Sequence, residues 1–142
     1  MKLSDVLAIK GRRVVTVSAN ASITEAIRTM HREKVGAVLV PDGASCPIGI
    51  LTERDVIRMH AEGDRDFDSL TVETRMTCSV VVGKLSMSVD EALTLMTERR
   101  FRHLPIVEEG KLLGLVSIGD LVKARLEEAA QEAQALRAYI TS

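Results

Sequence analysis

A hydroxyl and a carboxylate stand three residues apart at the end of an apolar run, and they do so twice. The two copies are Gly49-Ile50-Leu51-Thr52-Glu53-Arg54-Asp55 and Gly114-Leu115-Val116-Ser117-Ile118-Gly119-Asp120. If each follows a strand and opens a helix, the helix N-terminus supplies unpaired backbone N–H groups and a partial positive charge, which suit a phosphate. A threonine or serine hydroxyl there can donate to a phosphate oxygen. An aspartate can accept two hydrogen bonds from the vicinal hydroxyls of a ribose. The plain alternative is a helix cap, because Ser/Thr-x-x-Asp is itself a capping pattern. A cap alone requires neither the preceding glycine nor a second strand–turn–helix in register, so the doubled pattern favours a ribose-phosphate site.

The second copy is also more basic. It carries Arg99-Arg100-Phe101-Arg102-His103 before its motif. Arg99 and Arg100 fit a helix end, where cations complement the dipole. Arg102 and His103 occupy the positions of Gly36 and Ala37 in the first copy and are candidates for phosphate contacts. The two sites are therefore expected to differ, one more basic and the other more open. Other chemistries lack their signatures: there is no P-loop and no Gly-x-Gly-x-x-Gly fingerprint. His31, His60 and His103 fall on separate elements without zinc-ligand spacing, and no nucleophile elbow supports a hydrolase. Neither enzyme activity nor a metal site is expected.

The elements that must position these residues repeat as well. Ser22 to Val40 aligns with Ser88 to Ile106, with Ser22/Ser88, Glu25/Glu91, Ala26/Ala92 and Met30/Met96 identical. The later motif aligns one residue closer, a loss that fits the turn Asp42–Pro47 against the shorter Glu108–Lys111. Each copy reads β-α-β-β-α. Val14–Val17 and Val80–Val82 are β-branched runs suited to a first strand. Ser22 and Ser88 open helices with glutamate three residues on, as in a capping box. Ile23, Ala26, Ile27 and Met30, and in the second copy Val89, Ala92, Leu93 and Met96, form the apolar stripe of a helix. Residues 36–40 and 103–107 read as second strands, 48–51 and 112–116 as third strands, and a short helix follows each motif. The expected fold is α/β (α+β): two repeats packed with pseudo-two-fold symmetry, plus a C-terminal helix. The divisions are 1–66, 67–123 and 124–142. Along the terminal helix, from about Asp120 to Ile140, Val122, Leu126, Ala129, Ala133, Leu136 and Ile140 form a heptad-like seam, for packing on its own sheet or against a second copy.

The 142 residues are 46% hydrophobic, enough to bury a core, and 19 basic against 20 acidic side chains create no general field for nucleic acid or anionic membrane. The only aromatics are Phe67, Phe101 and Tyr139, too few for a base-stacking surface. Cys46 and Cys78 read as reduced thiols rather than a secreted disulfide framework. With no signal-peptide pattern and no membrane span, a soluble, cytoplasmic protein is expected.

The tandem β-α-β-β-α copies, each ending in glycine, two apolar residues, hydroxyl, two variable positions and aspartate, resemble a pair of CBS domains, a Bateman module. Phe101-Arg102-His103-Leu104-Pro105-Ile106-Val107 is similar to the usual entry to the second strand, and Met76-Thr77 to the opening of a second repeat. The resemblance extends to small bacterial stand-alone CBS pairs. It implies ligand sensing without a catalytic cofactor: an adenine nucleotide (AMP, ADP, ATP or NAD(H)) or S-adenosylmethionine held in clefts between the repeats. Asp55 and Asp120 would take ribose, Thr52 and Ser117 phosphate, and Arg102 and His103 further phosphate charge, with Arg54 an additional contact. Thr16, Val17, Val82, Ala37 and Val38 would line the base pockets. The resemblance further implies a homodimer and a regulated partner protein that the sequence does not name. The competing reading is an interaction scaffold with vestigial clefts.

Overall fold

A computed structural model describes residues 1–44, 48–78 and 80–141. The elements are α1 (Leu3–Lys10), α2 (Ile23–Glu33), β1 (Ala37–Val40), β2 (Gly49–Thr52), α3 (Glu53–Ala61), a 3₁₀ turn (Val72–Thr74), α4 (Val89–Arg99), β3 (His103–Glu108), β4 (Lys111–Ser117) and α5 (Ile118–Thr141). The series α2-β1-β2-α3 and α4-β3-β4-α5 realise the expected duplication as a mixed α+β fold. Packing divides the chain into two compact units, Val14–Val80 and Met1–Arg13 with Val81–Ser142.

In the unit 14–80, Ser22 caps α2, its Oγ accepting from the Glu25 N–H at 3.0 Å. Ile23, Ala26 and Met30 are then buried on one side, with Ile27 packed against them. The helix ends in a left-handed residue, Lys34, and β1 and β2 follow as an antiparallel hairpin in the register Ala37↔Thr52 to Val40↔Gly49. All four β1 residues are buried. The Val14–Val17 run does not make a full strand. It meets β1 through one parallel bridge, Thr16↔Leu39, with Val17 N–H donating to Leu39 O and Leu39 N–H to Val15 O, both at 3.0 Å. Pairing stops there because Asp42 accepts from the Ala19 N–H at 2.9 Å and the Ser18 hydroxyl at 3.1 Å, drawing the chain into a turn.

In the other unit Ser88 caps α4 in the same way, through the Glu91 N–H at 3.0 Å. Strands β3 and β4 pair antiparallel from His103↔Ser117, with a bulge at Ile106/Val107. The Val80–Val82 run again contributes only a bridge, displaced to Gly83↔Ile106. There Gly83 N–H donates to Pro105 O at 2.8 Å and Val107 N–H to Gly83 O at 3.0 Å.

Helix α1 belongs to this unit, although the sequence groups it with residues 1–66. Leu3, Val6 and Leu7 are buried in one cluster with Met96, Leu104, Ile106, Val116 and Leu121. Their spacing makes an apolar stripe that must be covered, and β4 with α5 covers it. The main chain adds Leu3 N–H to Met87 O at 2.9 Å and Ser4 N–H to Leu85 O at 3.1 Å. A Cβ on Gly114 would lie 2.8 Å from Leu7 Cδ2, so the helix approaches β4 closely only because that residue is glycine.

The helix after the second motif and the terminal helix are one 24-residue element, α5, in which only Leu121 and Ala124 are buried. Residues 129–141 are exposed throughout. No helix among the described residues is long and apolar enough to cross a membrane. Cys78 is disulfide-bonded, which corrects the expectation of a reduced thiol there; Cys46 lies outside the described residues.

Candidate functional site

Thr52 ends β2 and caps α3. Its Oγ1 accepts from the Asp55 N–H at 3.2 Å, and its own N–H donates to Asp55 Oδ2 at 2.8 Å. Ser117 ends β4 and opens α5 with the same pair of bonds, Asp120 N–H to Ser117 Oγ at 3.1 Å and Ser117 N–H to Asp120 Oδ2 at 2.8 Å. Both motifs are therefore complete capping boxes. The leading glycines have a packing reason too: Gly114 admits Leu7, and a Cβ on Gly49 would run into the Met76 side chain. What the cap leaves to a ligand is the second oxygen of each carboxylate.

Those second oxygens differ. Asp55 is nearly buried, at 7% exposure, and its Oδ1 pairs with Arg58 at 3.1 Å from the next turn of the same helix. Asp120 is more open, its side chain 28% exposed, and Lys10 Nζ reaches its Oδ2 at 2.5 Å from α1. The same ammonium donates to Leu115 O at 2.7 Å. Both bonds to Asp120, from Ser117 N–H and Lys10, thus fall on Oδ2. Partial burial alone would raise the Asp120 carboxyl, but the Lys10 ammonium and the Ser117 N–H outweigh it and hold the group below its ordinary value of 3.8.

The hairpins bring the strand candidates beside the motifs, since Ala37 pairs with Thr52 and His103 with Ser117. Arg102 and Gly36 are equivalent in space as in sequence. The Arg102 carbonyl accepts from the Ile118 N–H at 2.8 Å, and the Gly36 carbonyl from the Glu53 N–H at 3.0 Å. Arg102 is exposed and His103 half-buried; Arg54 is exposed on the first turn of α3. Of the expected base-lining residues, Thr16 is exposed and Val82 is 42% exposed, whereas Val17, Ala37 and Val38 are buried. Glu53 is a further difference between the copies. Its carboxylate lies over Gly36, where a Cβ would be 3.0 Å from Oε1, while the second copy has Ile118 there. An open groove of about 900 Å³ runs from Gly36 and Glu53 along Ile27, Met30, Val35 and Val56.

Sequence reasoning missed Lys10 as a partner of the motif. The signal was present: Leu3, Val6, Leu7 and Lys10 follow the i, i+3, i+4, i+7 pattern, which places the lysine on the buried side of α1. Among the described residues no group of three or more His, Cys, Asp and Glu could hold a metal ion.

A duplicated α+β unit with a capped hydroxyl–carboxylate motif at each strand–helix junction defines a tandem-repeat module. The chain belongs to the CBS-domain family, whose model matches residues 4–62 and 71–127, and is a CBS-pair regulatory module. It is 39% identical over 110 residues to the CBS domain-containing protein YhcV of Bacillus subtilis, covering 77% of this chain and 76% of that protein. The solved CBS-domain containing protein ATU1752 of Agrobacterium tumefaciens shares 43% identity and superposes with a TM-score of 0.82, covering 88% of this chain and 99% of that one. More distantly, the CBS domain pair of protein MJ0100, solved in complex with 5′-methylthioadenosine and S-adenosyl-L-methionine, shares the fold at a TM-score of 0.76 and 21% identity, over 90% of this chain and 98% of that one.

Proposed function

We propose that the chain is a non-catalytic sensor that binds an adenosine-containing ligand, an adenine nucleotide such as AMP, ADP, ATP or NAD(H), through its two motifs and signals occupancy to a partner protein. One observation carries this reading: in both copies a carboxylate uses Oδ2 for the helix cap and keeps Oδ1 outside it. At each junction the Gly36 or Arg102 carbonyl and the capping hydroxyl take two of the first three helix N–H groups, so the Arg54 or Gly119 N–H and the hydroxyl proton serve phosphate, and the aspartate offers an acceptor for ribose. Arg58 competes for Asp55 Oδ1 from a side chain that is 55% exposed, free to swing into solvent when a ribose hydroxyl takes its place. Arg102 and His103 add charge for phosphate in the second copy, and Arg54 in the first. Thr16, Val17, Ala37, Val38 and Val82 are the positions proposed to line the base pockets. The adenosine compounds bound by MJ0100 show what this fold accommodates elsewhere.

Thermal shift against AMP, ADP, ATP, NAD⁺, NADH and S-adenosylmethionine tests the reading. A ligand at 100 times its dissociation constant adds about 2.7 kcal/mol of stability, a rise of several degrees in Tm. No shift with any of them overturns it.

A second observation favours self-association. Along α5, Leu126, Leu136 and Ile140 are each more than half exposed, and with Val122, Ala129 and Ala133 they keep heptad-like spacing. We propose that this seam meets its copy in a symmetric homodimer, the commonest closed assembly.

A further inference from the structure

We infer that Lys10 is the anion-reading residue of the Ser117/Asp120 site and makes that copy select phosphorylated over unphosphorylated adenosine compounds. The inference rests on the motifs being ligand sites and adds a residue from outside both of them. Lys10 extends along the apolar side of α1, its stem continuing the stripe of Leu3, Val6 and Leu7 and its head emerging at the motif, as long basic side chains do. The side chain stays 35% exposed and the Asp120 side chain 28%, so both can be reached from solution.

The ammonium has three protons. One goes to Leu115 O at 2.7 Å and one to Asp120 Oδ2 at 2.5 Å. The third is available to an anionic oxygen. Asp120 Oδ2 also receives the Ser117 N–H, which keeps Oδ1 for a ribose hydroxyl. An acceptor for ribose and a charged donor for phosphate thus lie one ion-pair distance apart. Arg102, anchored beside the motif through Ile118, adds charge of the same sign.

The first copy is built with the opposite bias. The cation on Asp55 is Arg58 from its own helix, and it occupies Oδ1, the oxygen a ribose needs. Gly36 replaces Arg102, and the Glu53 carboxylate lies over it. The second copy is the one equipped for an anion.

A merely structural tie between α1 and β4 would affect all ligands alike. Titration calorimetry with AMP and adenosine on the Asp55→Asn protein, so that only the second site reports, separates the two roles. Adding Lys10→Gln should weaken AMP about 10- to 100-fold, the loss of one charge-assisted bond, and leave adenosine within about twofold. Lys10→Arg should restore most of the AMP preference. Equal loss for AMP and adenosine, or no loss for either, overturns the inference. If the wild type binds neither compound, the motif reading itself fails and Lys10 with it; if the wild type binds but the Asp55→Asn parent does not, the second copy is no ligand site and the inference alone is overturned.

Discussion

Asp55 and Asp120 close the same capping box yet answer to different cations, Arg58 one turn along and Lys10 from a distant helix. The consequence for Asp120 is a depressed carboxyl. A carboxylate whose folded pKa lies below its unfolded value of about 3.9 stabilises the fold fully above that pH and loses the contribution as pH falls through the lower, folded value. In Lys10→Gln the Asp120 titration, followed by carboxyl NMR, should move upward and the acid-side loss of stability should begin at higher pH. An unchanged midpoint would show that Lys10 does not set it. The hydroxyl and carboxylate were legible in the sequence because both chemical types recur in register. The α1 stripe put Lys10 on the buried side of its helix, but not against Asp120, because that partner lies far along the chain and the segment has no duplicate to align with.

At the level of elements, the serine caps and apolar stripes of α2 and α4 follow directly from the sequence pattern. Ser22→Ala and Ser88→Ala should each cost about 1 kcal/mol in urea unfolding, the usual worth of an N-cap; a loss near zero would mean that the capping bonds contribute nothing. The first strands were over-read. β-branched residues favour a strand, but Asp42 turns the chain after Val17, and the pairing of the second run falls on Gly83. Helix α1 was unread because it starts without a Ser/Thr cap, Asp5 Oδ2 accepting from the Lys2 N–H at 2.9 Å instead. Its contribution is nevertheless large, since Leu7 is buried against β4. Leu7→Ala should destabilise by about 2–5 kcal/mol, read from the shift in urea midpoint.

Across the whole molecule, self-alignment recovers what is duplicated and nothing else. It therefore found the repeats but could not show that residues 1–13 pack with 81–142. The α5 extension is the other unduplicated part. Arg125 pairs with Asp90 at 3.3 Å and Glu128 with the chain's amino terminus at 3.2 Å, but residues 129–141 are exposed. Truncation after Glu128 keeps every buried residue of α5. It should give a folded monomer by light scattering where the full chain is a dimer, and a truncated protein that stays dimeric would place the seam elsewhere.

The central claim is that the two aspartates bind the ribose of an adenine nucleotide. Asn at these positions keeps an amide oxygen to accept the capping N–H but removes the charge, so the helices remain capped while the ligand contact is weakened. Titration calorimetry of AMP, ATP and NAD⁺ into the wild type and the Asp55→Asn/Asp120→Asn double variant is the direct test. The account predicts that at least one nucleotide binds the wild type and that the double variant, with an unchanged circular dichroism spectrum, binds it about 10- to 100-fold more weakly. Equal affinity in the two proteins would reduce both aspartates to helix caps and contradict the account.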